Sequence, residues 1–311
     1  MMKLSFDQIK SVTVGAVQIS QESDGVHFCK MTPGQVEAYR AISEAQYNNS
    51  RATTGVRLDF HTNSPYVKYV TTTTAKYELA VDGYQTPITL ANKGEAITYS
   101  LPEGEHRVTI YLPAHGPAGG LAEVELADGA TLTRHKFDRK FLFIGDSITQ
   151  GWKSELDTQA YTYRVSDHFN AESIIQGTGS ACFAQSTLEK LDFDPDTVFV
   201  AYGTNDMGGV KTTDEMHDRA KGYLAKLQSF YPNARFVVIS PPWIVNYDQP
   251  RTAGSVADIC KAIRAAACEL GMDTVVGENM IPHMPSLFID NCHPNSLGFA
   301  YYAHNLIKAM K

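Results

Sequence analysis

The fold of the second half of the chain is decided by the stretch FLFIGDSITQG at residues 141–151. Phe141–Ile144 is a short apolar run, which predicts a strand that is buried on both faces of a sheet. Gly145 and Asp146 are residues that favour turns, so we expect the strand to end there. The stretch therefore predicts a buried strand with the hydroxyl of Ser147 exposed at its carboxyl end.

Further apolar runs of the same kind follow, separated by longer stretches with a helical period. The predicted strands are Ser173–Gln176, Thr197–Tyr202, Arg235–Ser240 and Asp273–Val276. Helices are predicted after Thr212, where Thr212-x-x-Glu215 forms a capping-box pattern, across Val256 to Leu270, and from Ser296 to Met310. Alternating strands and helices favour an α/β fold, a parallel sheet with helices on both faces.

The first half has a different pattern, in which apolar and polar residues alternate. Examples are Val56–Phe60, Tyr77–Val81 and Arg107–Leu112. Turn residues such as Asp82-Gly83 separate these short strands, and this spacing predicts an antiparallel β-sandwich. A short helix is also predicted to begin at Thr32-Pro33 and to use Val36, Tyr39 and Ile42. We predict two domains, a jelly-roll-like β-sandwich over residues 1–136 and an α/β domain over residues 137–311.

Composition and charge exclude several classes of function. The 311 residues include 27 Lys and Arg against 34 Asp and Glu, a formal net charge of −7. Nucleic-acid binding requires a basic surface, so no nucleic-acid partner is expected. No apolar stretch approaches the roughly 20 residues that cross a bilayer, so no membrane partner is expected.

The cysteines and the N-terminal residues indicate a cytoplasmic protein. The five cysteines are widely spaced and form no Cys-x-x-Cys pair, which favours free thiols. The N-terminus lacks the apolar core of a secretory signal. No metal-binding or phosphate-binding motif occurs, so neither a metal nor another cofactor is expected.

The segments that follow the predicted strands contain the parts of a catalytic site. Ligands bind beyond the carboxyl ends of the strands in an open parallel sheet. Ser147 follows the first strand, and Asp290 and His293 share one short loop before the last helix. A serine hydroxyl becomes a nucleophile when an imidazole removes its proton and a carboxylate orients that imidazole. These three residues are therefore the candidate catalytic residues.

Acyl transfer also requires hydrogen-bond donors for the developing oxyanion. The Ser147 amide, a glycine amide from the turn at residues 177–179 and the Asn205 side chain could supply three donors. Either Gly177 or Gly179 could be this glycine. Trp152 and Trp243 fall near the same rim and are candidate substrate-binding residues, because aromatic faces stack on sugar rings or hold acyl chains.

Three of the motifs occur in a family-specific order: Gly145-Asp146-Ser147, then Gly203-x-Asn205-Asp206, then Asp290-x-x-His293-Pro294. Together they resemble three of the four sequence blocks of the SGNH (GDSL-type) hydrolase superfamily. The second block, usually Asn-x-Gly-x-x-Gly, is altered here at residues 175–180, and of its glycines we favour Gly179 as the oxyanion donor, with Gly177 as the alternative. The resemblance implies a flavodoxin-like SGNH hydrolase fold, a Ser147–His293–Asp290 triad, and an oxyanion hole of Ser147, a glycine and Asn205. The first half resembles the β-sandwich that precedes the hydrolase domain in some two-domain carbohydrate esterases.

We therefore expect a metal-independent serine esterase that needs no cofactor. Its expected substrates are short-chain acyl esters, in particular O-acetyl groups on a small molecule or an oligosaccharide. Alternatives on the same site are a thioesterase, a lysophospholipase or an acyltransferase. A carbohydrate-binding protein with an inactive hydrolase domain is the alternative that is not an enzyme.

Overall fold

A computed structural model describes residues 1–87, 89–116 and 118–311 of the chain. Its contacts divide the chain into two compact units. The first unit contains Met1–Thr32 and Arg51–Phe137, and the second contains Pro33–Ser50 and Asp138–Lys311. The two units are described separately below.

The first unit consists mainly of antiparallel strands, with a short helix near the N-terminus. Its elements are β1 (Met2–Lys3), α1 (Phe6–Val12), β2 (Thr13–Val14), β3 (Gln18–Glu22), β4 (Gly25–Cys29), β5 (Arg57–Thr62), β6 (Tyr66–Thr71), β7 (Ala75–Val81), β8 (Tyr84–Gln85), β9 (Thr89–Ala91), β10 (Ala96–Ser100), β11 (His106–Tyr111), β12 (Gly120–Leu126) and β13 (Thr133–Arg134). One sheet has the order β10-β6-β12-β4-β3, with β1 beside β12. The other has the order β13-β5-β11-β7-β8, with β2 beside β5 and β9 beside β7. This architecture confirms the predicted antiparallel β domain.

One hydrophobic cluster in the first unit joins side chains from both sheets, including Leu58 of β5 and Val124 of β12. The sequence predicts β5 to be buried on one face only, but Arg57 and Asp59 on its other face are buried as well. Asp59 pairs with Arg57 at 3.0 Å and with Arg107 at 2.7 Å. Burial alone would raise the pKa of Asp59, but the two guanidinium groups lower it. A pattern of apolar residues does not reveal a buried charged group that depends on a partner from a neighbouring strand, as Asp59 does on Arg107 of β11.

The second unit is a parallel sheet with helices. Its strands are β14 (Arg139–Gly145), β15 (Ala171–Gly177), β16 (Thr197–Ala201), β17 (Arg235–Ile239) and β18 (Asp273–Val275). Its α-helices are α2 (Pro33–Ile42), α3 (Glu44–Arg51), α4 (Ser147–Gln150), α5 (Tyr161–His168), α6 (Thr213–Phe230), α7 (Val256–Glu269) and α8 (Ser296–Ala309). Short 3₁₀ turns cover Asp157–Gln159, Gln185–Thr187, Asp206–Gly208, Gly277–Asn279 and Pro285–Leu287.

The parallel sheet has the strand order β15-β14-β16-β17-β18. This is the flavodoxin-like order, so the predicted α/β fold is confirmed. The interior strand β14 is buried from Phe141 onward, and Phe143 stacks on Phe199 of β16 with ring centroids 4.5 Å apart. In the described part of the chain, no helix has both the length and the apolar character to cross a lipid bilayer.

Helix α2 differs from its predicted form. The expected apolar face was Val36, Tyr39 and Ile42, but the structure buries Gln35 and Tyr39 and leaves Ile42 exposed. Gln35 and Gln176 of β15 exchange hydrogen bonds of 3.1 and 2.9 Å between their side-chain amides. The sequence predicts a single domain boundary after residue 136, whereas the contacts also assign residues 33–50 to the second unit, because α2 buries this amide against β15.

The Gln35–Gln176 pair generates a testable prediction about stability. Replacing Gln35 with Leu removes two hydrogen bonds from the buried amide of Gln176, which should lower the free energy of unfolding by about 1–3 kcal/mol. Urea denaturation followed by circular dichroism measures this change. The matched control is Glu37→Ala, an exposed position on the same helix, where a change within about 0.5 kcal/mol is expected. Equal losses in the two variants would contradict the prediction.

Candidate active site

Ser147 lies just beyond the carboxyl end of β14, an interior strand of the parallel sheet. β14 ends at Gly145, and Asp146 is the N-cap of α4, which begins at Ser147. The Asp146 carboxylate accepts a hydrogen bond of 2.9 Å from the Ile148 amide. A Cβ at Gly145 would lie 2.1 Å from Thr149 Oγ1, so only glycine allows the strand to approach the helix this closely. The strand therefore leads directly into α4 and holds Ser147 at the edge of the sheet.

The structure brings Ser147, His293 and Asp290 together. Ser147 Oγ lies 2.9 Å from His293 Nε2. On the other side of the ring, His293 Nδ1 lies 2.9 Å from Asp290 Oδ2 and 3.1 Å from Asp290 Oδ1. An ionised carboxylate only accepts hydrogen bonds, so Nδ1 carries the ring proton and Nε2 accepts from the Ser147 hydroxyl. This arrangement is the one in which an imidazole can remove a proton from a serine.

The loop that carries Asp290 and His293 is fixed by its own hydrogen bonds. Asp290 Oδ1 accepts from the amides of His293 at 2.7 Å and Cys292 at 2.8 Å. Partial burial alone would raise the pKa of Asp290, but the His293 amide, the His293 ring and the Cys292 amide together lower it. Asp290 is therefore ionised at neutral pH. At the end of the loop, Asn295 caps α8 by accepting from the amides of Leu297 and Gly298.

Two buried carboxyl groups lie near the candidate nucleophile and have structural roles. Burial raises the pKa of Asp146 to about 7, and the charge of Asp206 acts in the same direction. Burial also raises the pKa of Asp206, although the Phe183 amide and Arg219 oppose this effect. Asp206 accepts a hydrogen bond of 3.2 Å from the Phe183 amide and lies 3.5 Å from Arg219 Nη1. These contacts fix the 3₁₀ turn that follows Asn205.

Two of the predicted oxyanion donors, the Ser147 amide and the Asn205 side-chain amide, lie at this edge of the sheet. Each has an N–H hydrogen that can donate to a ligand. Ser147 is the first residue of α4, where a backbone N–H has no acceptor inside the helix. Asn205 Nδ2 donates to the carbonyl oxygen of Ala181 at 3.0 Å. An amide nitrogen of this kind has two hydrogens, so the bond to Ala181 orients the group and leaves the second hydrogen for another acceptor.

The two candidate glycines have different surroundings. The Gly179 amide donates to Gln150 Oε1 at 2.8 Å, so this N–H already has an acceptor within the protein. Gly177 is the last residue of β15, and a Cβ there would lie 2.3 Å from the Gln150 nitrogen. The absence of a side chain at Gly177 therefore allows β15 to pack against α4. Which of the two donates to an oxyanion stays a prediction.

A cavity of about 390 Å³ opens beside Ser147 and His293. Its lining combines side-chain amides and hydroxyls with a few apolar groups: Ser147, Thr204, Asn205, Met207, Gly208, Ile244, Asn246, Arg251, Asn291, Cys292 and His293. Burial, followed by the charges of Asp146 and Asp290, raises the pKa of Cys292 to about 12, so its sulfur stays a neutral thiol. Sequence reasoning missed Ile244, Asn246 and Arg251. Their one signal is position, because the loop that contains them follows β17 at the same edge of the sheet.

Neither predicted aromatic residue is among the side chains that line this cavity. Trp243 stacks on His283 with ring centroids 5.1 Å apart and packs its edge against Phe288. The Trp152 amide donates to the carbonyl oxygen of Ser147 at 2.9 Å, and Lys153 lies over the indole ring. These contacts give packing reasons for both positions, and their role in substrate binding stays a prediction.

The first unit contains the one group of potential metal ligands found among the described residues, formed by Glu22, Asp24 and His27. Asp24 Oδ1 already pairs with His27 Nε2 at 2.7 Å, and both carboxylates are exposed. Exposed acidic groups are common without a bound ion. The expected absence of a metal and of any other cofactor stays a prediction.

Comparison with known proteins adds a family and a fold. Residues 143–301, just over half of the chain, match the model of a family described as "GDSL-like Lipase/Acylhydrolase family". This segment contains Ser147, Asn205, Asp290 and His293. No curated protein sequence matches the chain.

Several solved structures share the fold of both halves. A salicylyl-acyltransferase, SsfX3, from a tetracycline biosynthetic pathway is 18% identical with a TM-score of 0.83, over 96% of this chain and 93% of its own. A putative GDSL-like lipase from Bacteroides ovatus is also 18% identical, with a TM-score of 0.77 over 99% of this chain and 96% of its own. A family two carbohydrate esterase from Clostridium thermocellum, solved with cellohexaose, is 14% identical with a TM-score of 0.67, over 96% and 98% of the two chains.

The raised pKa of Asp146 predicts how stability depends on pH. Between pH 4 and pH 7 the folded protein keeps a proton on Asp146 that the unfolded chain releases, so the free energy of unfolding falls as the pH rises. Asp146→Asn keeps the helix cap and removes this proton. The difference between the wild-type and D146N unfolding free energies should change by about 1–4 kcal/mol across this range, with wild type losing more stability.

Urea denaturation at several pH values measures this difference. Asp192→Asn, which neutralises an exposed carboxylate, is the matched control and should follow the wild-type curve. Parallel curves for D146N and wild type would show that Asp146 is ionised in the folded protein across the whole range.

Proposed function

The chain belongs to the GDSL-like lipase/acylhydrolase family, and from this we propose that it is a serine esterase whose nucleophile is Ser147. The observation that carries the proposal is the continuous hydrogen-bonded path from Ser147 Oγ through the His293 ring to the Asp290 carboxylate. His293 is the general base in this proposal, and Asp290 holds its tautomer and stabilises the imidazolium. The chain lacks the Gly-x-Ser-x-Gly motif that carries the nucleophile in α/β-hydrolases, and its Asp290 and His293 are only three residues apart.

The reaction proceeds through an acyl-enzyme. Ser147 Oγ forms a bond to the ester carbonyl carbon while its proton moves to His293 Nε2 and the carbonyl electrons move to the oxygen. His293 then returns this proton to the alcohol oxygen as the C–O bond of the ester breaks. A water molecule repeats both steps on the acyl group and releases the acid, which restores the Ser147 hydroxyl.

We assign oxyanion stabilisation to the Ser147 amide and the second hydrogen of Asn205 Nδ2. The bond from Asn205 to Ala181 supports this role because it fixes the orientation of the side-chain amide before substrate binds. Gly179 would serve as a third donor only if its amide broke its hydrogen bond to Gln150 and donated to the oxyanion instead. The alternative third donor is the Gly177 amide. Loss of one such donor typically costs about 3–4 kcal/mol of transition-state stabilisation.

The proposed substrates are short-chain acyl esters, in particular O-acetyl groups carried on carbohydrate. The cavity beside Ser147 supports a hydroxyl-bearing substrate, because Asn205, Asn246 and Asn291 place side-chain amides in its wall, and its volume is about 390 Å³. Hydroxyl-rich substrates bind best where side-chain amides can exchange hydrogen bonds with them. The fold shared with the Clostridium thermocellum esterase adds support at the level of architecture only.

Acyl transfer is the second candidate function. The acyl-enzyme is common to hydrolysis and transfer, and the products differ only in whether water or an acceptor hydroxyl attacks it. The fold shared with an acyltransferase is the observation that keeps this candidate open. Product analysis with added alcohols or sugars distinguishes the two reactions, since transfer yields a new ester.

Substitution of the three proposed catalytic residues tests the proposed function. Ser147→Ala and His293→Ala should lower kcat on an aryl acetate by roughly 10⁴-fold or more, and Asp290→Asn by less, on the order of 10³- to 10⁴-fold. A fluorophosphonate probe should label wild type and leave S147A unlabelled. Ser166→Ala, at a buried serine in α5 that lies outside the cavity lining, is the control for labelling. A wild-type protein that neither reacts with the probe nor cleaves esters would favour a binding protein instead.

Chain length of the acyl group tests the proposed substrate class. We expect kcat/KM to fall by about tenfold or more from 4-nitrophenyl acetate to the octanoate, because the side-chain amides of Asn205, Asn246 and Asn291 line part of the cavity that extra methylene groups would enter. Kinetics across acetate, butyrate, octanoate and palmitate measure the trend. Higher values for the long chains, or faster cleavage of acyl-CoA or lysophospholipid, would contradict the acetyl assignment.

A further inference from the structure

Arg251 lies in the loop between β17 and α7 and lines the cavity beside Ser147 and His293. Its backbone is fixed by two hydrogen bonds with Gly254, from the Arg251 amide at 2.8 Å and back from the Gly254 amide at 3.2 Å. Its Nη2 donates to Asn246 Oδ1 at 2.9 Å and to the Asn246 carbonyl oxygen at 3.3 Å. The guanidinium is therefore held in place at the cavity wall before any substrate binds.

The charge of Arg251 has no partner of opposite sign among the residues that the structure describes. Two other arginines of the second unit, Arg219 and Arg235, pair with carboxylates, those of Asp206 and Asp273. Arg251 instead meets only neutral acceptors, and its Nε is buried without a hydrogen bond. A buried donor without an acceptor is costly, so the site favours a ligand that supplies one.

The rest of the cavity wall is consistent with an anionic ligand. No Asp or Glu occurs among the residues that line it, although the chain as a whole carries a net charge of −7. The carboxylate of the proposed triad, Asp290, already accepts hydrogen bonds from the His293 ring and from two backbone amides. Arg251 is thus the one permanent charge among these lining residues.

We infer that the ester substrate carries a carboxylate that pairs with Arg251. This inference rests on the proposed function, because it concerns the substrate of the same site. A planar guanidinium matches a carboxylate with two parallel hydrogen bonds, and such charge-assisted bonds are roughly twice as strong as neutral ones. One cation matches the single charge of a carboxylate, whereas a phosphate monoester carries nearly two charges. The carboxylate belongs either to the acyl group or to the alcohol.

Two matched substrate pairs test the inference and separate these two sources. For the acyl side, 4-nitrophenyl hemiglutarate is compared with 4-nitrophenyl pentanoate. For the alcohol side, 4-acetoxybenzoate is compared with 4-acetoxybenzamide. At pH 7, wild type should prefer the anionic member of at least one pair by about ten- to hundredfold in kcat/KM. Arg251→Gln should abolish this preference and Arg251→Lys should keep part of it.

Lys308→Gln is the matched control, because it removes one exposed positive charge on α8 outside the cavity lining and should keep the wild-type preference. A wild-type preference below twofold in both pairs, or a preference that persists in R251Q, would overturn the inference. If R251Q does not fold, the ratio in R251K decides: an undiminished preference counts against Arg251.

A binding measurement separates this inference from the proposed function. In calorimetry, Ser147→Ala should bind 4-acetoxybenzoate or the hemiglutarate with a Kd at least tenfold lower than that of the matched neutral ester. The double variant S147A/R251Q should lose this difference. Neutral esters cleaved without any anion preference would refute the role of Arg251 and leave the esterase intact. Anion binding without ester cleavage or fluorophosphonate labelling would refute the esterase instead.

Discussion

The site depends on the close approach of backbone between the end of β14 and the start of α4. β14 is hydrogen-bonded to β15 on one side and to β16 on the other, so its carboxyl end is fixed in space. Because Gly145 has no side chain, the chain turns into α4 at once, and the Asp146 carboxylate closes this turn by capping the helix. The position of the Ser147 hydroxyl is therefore set by the buried carboxyl-terminal half of an interior strand rather than by a loop.

The other groups of the site reach Ser147 from loops, and hydrogen bonds hold each of these loops in place. Asp290 uses one carboxylate oxygen to hold two amides of its own loop, which places His293 before the ring is oriented. Asn205 is fixed by its bond to Ala181 and by the turn that Asp206 holds. Such preorganised contacts mean that little rearrangement is needed when charge develops during reaction.

Much of this arrangement could be predicted from sequence, for two physical reasons. Buried parallel strands such as Phe141–Ile144 appear in the sequence as short apolar runs that alternate with helical stretches. The carboxyl ends of these strands meet at one edge of the sheet, which predicts where the site lies. Gln35, Asp59 and Arg251 could not be predicted in the same way. Each is a polar residue whose position depends on a partner distant in sequence or on the path of an irregular loop, and hydrophobic periodicity carries no information about either.

The pairing of Gln35 with Gln176 also affects the order in which the chain can fold. The two residues are 141 positions apart, and strands β5 to β13 of the first unit lie between them in sequence. During synthesis α2 leaves the ribosome well before β15 is made. The Gln35 side chain therefore remains solvated until β15 forms and buries it. Closing so long an interval carries an entropic cost that the intervening β-domain reduces if it is already compact. The chain makes the first part of each unit before it completes either of them. The folding of each unit during synthesis therefore depends on the folding of the other.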